Sequence, residues 1–210
     1  MLLHPITRRI AAPFALAAML VALSAASASA ALVPDDGAWC NDGSSSQVFL
    51  PWADPASYKL APGGDFEKKN SHWTLVAASR DNSQNEPFHV GGASDRSSLS
   101  IANGGLALSP AMCVGLGEPT ARMFFKQTGG LPGATLQIDV LFDDVNGTTQ
   151  AQTIGLLGVA QQWRLSPQLA TMANLLPTIG AGSTAIAFRF TAIGGSFAID
   201  DLYVDPWHKP

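Results

Sequence analysis

Charged residues and cysteines are both scarce in this chain. Lys, Arg, Asp and Glu make up 13% of the 210 residues, and Cys40 and Cys113 are the only cysteines. The 12 basic residues are outnumbered by 16 acidic ones, which gives a net charge of −4. A nucleic-acid partner requires clustered Lys and Arg to replace the counterions on phosphates. The composition therefore argues against nucleic-acid binding.

Motifs that carry common enzyme chemistries are also missing. The chain has no Gly-x-Ser-x-Gly elbow, no His-Glu-x-x-His helix and no phosphate-binding glycine loop, and its histidines lack metal-ligand spacing. Paired acids occur at Asp143-Asp144 and Asp200-Asp201, but adjacent strand residues point to opposite faces. Neither pair predicts the facing carboxyls of a glycosidase. We therefore expect a non-catalytic protein and keep a secreted glycoside hydrolase or lyase as the third alternative.

The first thirty residues are organised as an export signal. Arg8 and Arg9 precede an apolar run from Ile10 to about Leu23, and the small-residue site Ala28-Ser29-Ala30 follows. The apolar run is shorter than the ~20 residues that a membrane-spanning helix needs. We therefore predict a cleaved signal peptide at residues 1–30. Residues 31–210 are then expected to form one secreted or extracellular domain, monomeric and not inserted in a membrane.

The two cysteines form an even pair in a chain that is predicted to be exported. Disulfides persist in an oxidising exterior, so we predict a bond between Cys40 and Cys113. Closing the loop of about 74 residues from Cys40 to Cys113 would stabilise the fold by ~4 kcal/mol on the chain-entropy model.

Short alternating apolar segments separated by Gly, Pro, Asn and Ser dominate the rest of the chain, which is typical of an all-β protein. The pattern predicts strands at residues 47–50, 72–79, 98–101, 106–108, 121–127, 134–142, 153–157, 184–191 and 197–204. This layout favours a jelly-roll β-sandwich of about eight to ten strands in a single domain. Asp144 to Gly147 and Gly194-Gly195 predict hairpin turns, and Pro167 to Leu176 predicts the one helix.

Alternation within three of these strands predicts a polar sheet face. Side chains two residues apart share one side of a strand. Four polar residues would therefore face outward together if their strands are neighbours: Arg122, Gln137, Asp139 and Arg189. Such planar donors and acceptors suit sugar hydroxyls. The alternative is a set of cross-strand ion pairs on a solvated sheet, each worth roughly 0.2–1 kcal/mol.

Five tryptophans stand out in so lightly charged a chain. An indole ring stacks on the apolar face of a pyranose, so a tryptophan in a loop is a candidate sugar platform. Trp52 and Trp163 lie in predicted loops and are the preferred candidates, whereas Trp73 lies in a predicted strand and is expected in the core.

Two short motifs resemble the two ends of carbohydrate-binding modules, with jelly rolls of the galactose-binding type sharing the same features. Gly64-Asp65-Phe66-Glu67, followed by Trp73, is similar to their first strand, and Ile199-Asp200-Asp201-Leu202 is similar to their last. The remaining layout also resembles a set of exported bacterial proteins with no assigned activity. The resemblance implies a jelly roll that recognises a polysaccharide or cell-envelope glycan.

The same resemblance implies a structural calcium ion held by Glu67 and Asp200, with Asp201 as the next candidate ligand. Calcium takes about six to eight oxygens, so further groups would have to complete the shell. The alternative is that both acids accept ordinary hydrogen bonds at a sheet edge. The stretch from Asp81 to Glu86 has alternating oxygen side chains but lacks the glycine and distant Glu of a calcium loop, so we expect it to be solvated.

Taken together, these features favour non-catalytic glycan recognition, with the two arginines donating hydrogen bonds and a tryptophan stacking. A second hypothesis is a structural or protein-interaction protein of the cell surface. In that case the polar face is merely solvated and the tryptophans belong to the core.

Overall fold

The computed structural model describes residues 44–69, 71–115, 120–171 and 183–205. Within these ranges the chain has no α-helix, one 3-10 turn at Leu50–Trp52, and nine strands. The strands are β1 (Lys59–Leu60), β2 (Thr74–Asp81), β3 (Ser98–Leu108), β4 (Met112–Gly115), β5 (Thr120–Asp143), β6 (Thr149–Leu157), β7 (Arg164–Leu165), β8 (Leu169–Ala170) and β9 (Ser183–Asp205). The all-β class predicted from the sequence is confirmed. In the described ranges, no helical segment has the length and apolar character of a membrane span.

Every strand pairing among the described residues is antiparallel, and the main order is β2-β3-β9-β5-β6. The two longest strands, β5 and β9, lie at the centre and pair along almost their full length, from Thr120 opposite Asp205 to Phe142 opposite Ile186. β1 and β4 add to β9, while β7 and β8 add to β5.

A line of irregular pairing crosses the long strands and bends the sheet. The register shifts between Val76 and Ala78, between Ile101 and Leu106, and between Gly130 and Thr135. At this line Gly130 has φ +110 and lies opposite Gly195, where a Cβ on Gly130 would come within 2.3 Å of the Gly195 Cα atom. Only glycine permits so close an approach at positive φ.

The bend divides the long strands between two sheets. Sheet A comprises residues 78–81, 98–101, 120–130 and 195–205 with β1, β7 and β8; sheet B comprises residues 74–76, 106–108, 135–143 and 183–193 with β4 and β6. Buried side chains from both sheets form one main core, including Met123, Phe125, Leu136, Ile138, Phe188, Phe190, Phe197 and Ile199. Facing sheets with a shared core form a β-sandwich.

Three pairs of predicted strands turn out to be single bent strands. Residues 98–101 and 106–108 belong to β3, residues 121–127 and 134–142 to β5, and residues 184–191 and 197–204 to β9. The hairpin predicted at Gly194-Gly195 is therefore wrong, because β9 keeps the same partner on both sides of these glycines. The hairpin from Asp144 to Gly147 is confirmed: it joins β5 to β6, Gly147 has φ 72, and its N–H donates to the Asp144 carbonyl at 2.9 Å.

The predicted helix from Pro167 to Leu176 is wrong where the structure describes it. Leu169 and Ala170 form β8 and pair with Ala121 and Thr120 of β5. Pairing with a buried neighbouring strand outweighs the local helix signals. Residues 172–176 lie outside the described residues.

Two other sequence predictions fall partly outside the described ranges. The predicted signal peptide and Cys40 precede residue 44. Cys113 is buried in β4 opposite Ala185. The disulfide therefore stays a prediction.

Trp73 packs at the edge of the main core, close to the position expected from its sequence context. Its ring lies 4.9 Å from Phe66 and 5.9 Å from Phe190, centroid to centroid. Its indole N–H donates to the Pro62 carbonyl at 2.9 Å, which satisfies the polar end of the side chain.

Candidate functional site

The six predicted ligand-binding residues are divided between the outer faces of the two sheets. Gln137, Asp139 and Arg189 come together on sheet B. Arg122, Trp52 and Trp163 lie on the outer side of sheet A. The structure therefore brings together three of the four residues of the predicted polar face, and Arg122 lies in the other sheet.

The group on sheet B is centred on the Asp139 carboxylate. Arg189 donates to Asp139 Oδ2 from Nε at 3.0 Å and from a terminal nitrogen at 2.7 Å. Gln137 Nε2 donates to Oδ1 at 3.0 Å and Thr153 Oγ1 donates to it at 2.7 Å. Burial raises the pKa of Asp139, but the hydrogen bonds from Thr153, Arg189 and Gln137 outweigh it and hold the pKa below its ordinary value. The carboxylate is therefore a charged, fully engaged anchor.

These polar residues belong to two cross-strand rows that span five strands of sheet B. We call the two rows the open face: Thr74, Leu108, Arg189, Asp139 and Thr153 in one, and Val76, Leu106, Thr191, Gln137 and Leu156 in the other. The Asp139 side chain is 1% exposed and that of Arg189 is 32% exposed, so the arginine covers the acid. Val76 and Leu156 are 57% and 64% exposed. The face thus presents a polar centre between apolar edges, and neither row contains an aromatic residue.

Arg122 is committed to contacts within the fold. Its Nε and one terminal nitrogen donate to the Ser166 carbonyl at 3.0 and 2.6 Å, and the other terminal nitrogen donates to Asp54 Oδ2 at 2.6 Å. Its guanidinium carbon lies 5.6 Å from the centre of the Phe49 ring. Burial raises the pKa of Asp54, but hydrogen bonds from Tyr58 and Arg122 outweigh it and lower the pKa. Arg122 therefore joins the segment around Asp54, which precedes β1, to sheet A.

Trp52 belongs to an aromatic cluster on the outer side of sheet A. The cluster consists of Phe49, Trp52, Tyr58, Phe88, Phe124 and Tyr203. Trp52 meets both Phe88 and Phe124 edge to face with ring centres 5.1 Å apart. It is half-buried, and Trp163 is half-buried against the same cluster. The structure does not bring either tryptophan to the open face, so their stacking role stays a prediction.

The same side of sheet A holds an acid cluster that sequence reasoning did not assemble. Its members are Glu86, Asp95, Asp200 and Asp201, each no more than 1% exposed. Glu86 and Asp95 come from the loop between β2 and β3, and the other two come from β9. The expectation that Asp81 to Glu86 is a solvated loop is wrong for Glu86.

A β-bulge explains why Asp200 and Asp201 are both buried. Phe124 lies opposite Asp200 and Arg122 lies opposite Tyr203, so β9 has one residue more than β5 between these pairs. Asp201 takes a left-handed backbone conformation with φ 52. An extra residue in one strand breaks the alternation of side chains. The expectation that the two acids point to opposite faces of the sheet is therefore wrong.

The acid cluster lacks the counter-charge that Asp139 has. Carboxylate oxygens of Glu86, Asp95 and Asp201 all lie within 4.8 Å of one another. Among the described residues, no Lys or Arg forms an ion pair with any of the four acids. Five of their carboxylate oxygens are buried without a hydrogen bond in the described part of the chain: both of Asp95, both of Asp201 and one of Asp200.

Burial and mutual repulsion raise the pKa values of three acids in the cluster. Burial, together with the charges of Asp201 and Asp95, raises the pKa of Asp200 to about 10. Burial and the charges of Asp95 and Glu86 raise the pKa of Asp201 to about 9. Burial also raises the pKa of Asp95 to about 6, although the Asn85 amide and the Gly91 N–H face this carboxyl and oppose the rise. A nearby cation would lower all three pKa values, because it stabilises the charged carboxylates.

Glu67, predicted as a calcium ligand with Asp200, lies beside basic and backbone donors. Its Oε1 accepts the Arg96 backbone N–H at 2.7 Å, and its Oε2 lies 3.9 Å from an Arg80 terminal nitrogen. Asp200 Oδ1 accepts the Asp201 N–H at 2.9 Å, whereas its Oδ2 has no hydrogen bond within the described residues. The two predicted ligands therefore differ: the first already has donors, and the second belongs to the acid cluster.

Several solved structures resemble part of this fold at low sequence identity. No family model matches the chain, and no curated protein matches it either. A family 22 carbohydrate-binding module of Clostridium thermocellum Xyn10B is 16% identical with a TM-score of 0.45, covering 70% of this chain and 94% of that chain. The CBM22-1 xylan-binding domain of Paenibacillus barcinonensis Xyn10C is 16% identical with a TM-score of 0.47, covering 70% and 93%. These structural neighbours are carbohydrate-binding modules.

A third structural neighbour is also a carbohydrate-binding module. The family 11 carbohydrate-binding module of the cellulosomal cellulase Lic26A-Cel5E of Clostridium thermocellum is 10% identical with a TM-score of 0.42, covering 72% of this chain and 95% of that chain. These three modules are similar to this chain in fold only. At these identities and scores, what this chain binds has to be argued from its own residues.

Proposed function

We propose that this protein is an exported, non-catalytic β-sandwich whose open face recognises a polysaccharide or cell-envelope glycan. The observation that carries the proposal is the position of the Arg189 guanidinium, one third exposed and fixed by a buried Asp139 carboxylate. Asp139 uses two of the five N–H donors of the guanidinium. The others are held in a defined plane for a ligand, which reduces the entropy lost on binding.

The surroundings of Arg189 suit the alternating polarity of a sugar ring. The hydroxyl groups around a pyranose need planar donors and acceptors, which Arg189 and Gln137 supply at the centre of the face. The C–H faces of the ring need apolar surface, which Val76 and Leu156 supply at its edges. Aliphatic contact here takes the place of aromatic stacking.

The remaining parts of this proposal rest on the sequence. Export and a secreted or extracellular location follow from the organisation of residues 1–30, and a monomer is expected. The missing catalytic motifs support binding without catalysis. The ligand is therefore expected to be released unchanged.

The test is retention of the purified protein on a panel of soluble and insoluble polysaccharides. Two variants probe the open face, Gln137→Ala and Leu156→Ala, because neither leaves a buried charge without a partner. Val145→Ala is the matched control, since Val145 is 85% exposed in the β5–β6 hairpin and lies outside both rows. We expect both open-face variants to lose retention and the control to keep it.

Other outcomes assign the binding elsewhere or reject it. Loss of retention in Trp52→Ala or Trp163→Ala, with both open-face variants unaffected, would move the glycan site to sheet A. A folded protein that no glycan retains would contradict the proposed function altogether.

A structural or protein-interaction role at the cell surface is the second candidate. It is favoured by one observation: neither row of the open face contains an aromatic residue, although aromatic side chains supply large contact areas in binding sites. In this case the Asp139–Arg189 pair only stabilises a solvated sheet. The glycan panel distinguishes the two candidates, because this one predicts no retention by any variant.

A further inference from the structure

We infer that the acid cluster is a calcium site in which Glu86, Asp95 and Asp201 bind one ion and so fasten the β2–β3 loop to the last strand. This inference does not depend on glycan binding. It also differs from the ligand pair that the carbohydrate-binding-module resemblance implies, because Glu67 is not one of the three acids.

The distances within the cluster fit a shared ion. Two oxygens bound to one calcium at about 2.4 Å lie at most about 4.8 Å apart. Oxygens from Glu86, Asp95 and Asp201 meet this limit in every pair. The three side chains can therefore reach one ion without a large rearrangement of the backbone.

Buried oxygens without partners provide the second, independent observation. Asp95 and Asp201 each have both carboxylate oxygens buried and without a hydrogen bond from any described residue. Burying a carboxylate without a hydrogen bond or counter-charge is costly. Asp200 Oδ2 and Asn85 Oδ1 are buried in the same condition, so further oxygens are available next to the three acids. A cation between the three acids would supply the counter-charge that the Asp95 and Asp201 carboxylates lack.

The backbone around the cluster fixes the orientation of the ligands. The Glu86 carboxylate accepts the backbone N–H of Phe88 and, at 2.9 Å, that of Val90. The Asp95 carbonyl lies 3.1 Å from His89 Nδ1 and 3.2 Å from Asn85 Nδ2. Groups that hold metal ligands in place are typical of metal sites. Contacts within the β2–β3 loop therefore hold both Glu86 and Asp95 in position.

The chemistry of the donors selects the kind of ion. All three side chains offer hard carboxylate oxygens, which favour calcium or magnesium over zinc and copper. Magnesium demands near-octahedral geometry and usually keeps several waters, whereas calcium accepts irregular shells rich in carboxylates. Three buried carboxylates on a loop and a bulged strand therefore suit calcium better than magnesium.

Occupation of the site has a consequence for the aromatic cluster. Phe88 lies two residues after Glu86, and its ring contacts both Trp52 and Phe124 with centres 5.1 Å apart. An ion that fixes Glu86 also fixes the loop carrying Phe88. The environment of Trp52 should therefore report calcium binding.

The experiment is calcium titration of the purified, chelator-treated protein, followed by calorimetry, thermal unfolding and tryptophan fluorescence. We expect a dissociation constant of about 0.1–1 mM, as in extracellular modules. Near-saturating calcium should raise Tm by about 5–10 °C. The accompanying change in tryptophan emission should be largely lost in Trp52→Phe and kept in Trp163→Phe.

Three isosteric variants test the ligand assignment. Asp95→Asn and Asp201→Asn should each weaken calcium binding by on the order of 100-fold or more, since even residues behind the ligands cost about 10–100-fold. Both should be at least as stable as the unsubstituted protein in chelator, because the amide keeps the shape of the side chain and avoids the cost of burying an ionisable acid among other acids. With calcium the order should reverse. Glu67→Gln is the control and should keep the calcium response.

The reversal separates a metal site from a merely structural cluster. No calcium-dependent rise in Tm for the unsubstituted protein would overturn the inference. An equal rise in Asp95→Asn and Asp201→Asn would overturn it as well. A response lost in Glu67→Gln but kept in Asp201→Asn would show that the ion lies at the residues implied by the resemblance, and so would reject this ligand set.

Discussion

Asp139 and Asp201 lie on the outer sides of different sheets, are equally buried, and differ in how the fold compensates their charge. Asp139 on sheet B has Arg189 beside it, and its pKa is lowered. Asp201 on sheet A has other acids beside it, and its pKa is raised to about 9. A buried acid with a basic partner in the chain is part of a structural ion pair, whereas a buried acid without one is either protonated or paired with a cation from outside the chain, as we infer for Asp201.

The covering of the two outer faces differs as well. On sheet A the segment before β1 and the loop between β2 and β3 bury both the aromatic cluster and the acid cluster. On sheet B the two rows of the open face keep Val76 and Leu156 exposed. Both faces are built on β5 and β9, so the covering segments make the difference.

The largest expected effect is at the bend that connects the two sheets. Gly130→Ala places a Cβ within 2.3 Å of the Gly195 Cα atom at φ +110. We expect it to lower the free energy of unfolding by about 3 kcal/mol or more, because strain and a backbone clash add. Urea unfolding measures this.

Two neighbouring glycines are matched controls for that substitution. Gly133 has φ +91 but open space around its Cα, and Gly129 has open space without the unusual φ. The expected losses are about 1 kcal/mol for Gly133→Ala and close to zero for Gly129→Ala. Equal losses at all three positions would show that close contact with Gly195 is unimportant.

The next prediction compares the stability cost of truncating Trp52, which is half-buried on sheet A, with that of truncating Leu156 on the open face. Trp52→Ala removes a half-buried ring packed on Phe88 and Phe124, and should cost about 2–3 kcal/mol of unfolding free energy. Leu156→Ala on the open face should change it by no more than about 0.5 kcal/mol. Thermal and urea unfolding of both variants test the comparison. A larger loss at Leu156 would mean that a further segment covers the open face.

The smallest expected loss of unfolding free energy is at Asp139, the buried acid that has a basic partner. Arg189→Met leaves Asp139 buried without its basic partner and should cost about 2 kcal/mol near neutral pH, less than a fully buried pair because Arg189 is partly exposed. The double variant Asp139→Asn with Arg189→Met should recover part of this loss.

The pH dependence of that loss has a defined sign. The pKa of Asp139 is lowered from 3.8 in the folded protein, so its stabilisation is present above about pH 4 and disappears as the pH falls through the lower folded value. Arg189→Met and the unsubstituted protein should therefore converge in Tm toward pH 2. A difference that persists undiminished at pH 2 would reject the ion pair as its cause.

Much of the architecture could be predicted from the sequence because it depends on local patterns. Alternation located β2, β5 and β9, and the glycine in Asp144 to Gly147 located a real hairpin. Glycines at the bend were misread as turns, because positive φ and the lack of a Cβ serve a bend and a chain reversal equally well. Which of the two occurs at Gly194 depends on whether the partner strand continues past it.

The candidate sites divide in the same way. Gln137 and Asp139 are two residues apart on one strand, so alternation alone puts them on one face, and Arg189 follows once β5 and β9 pair. Arg122 has the same kind of local pattern, but its strand segment belongs to the other sheet. That assignment depends on the bend, which the sequence pattern did not indicate.

A two-residue period is enough to predict the all-β class, the shared face of Gln137 and Asp139, and the presence of Asp200-Asp201 in the last strand. The meeting of Glu86, Asp95 and Asp201 depends instead on the tertiary structure. Asp201 is distant from the other two along the chain, and their meeting requires a loop folded onto sheet A and a bulge with φ 52 at Asp201. Both are consequences of long-range packing, which no local periodicity encodes.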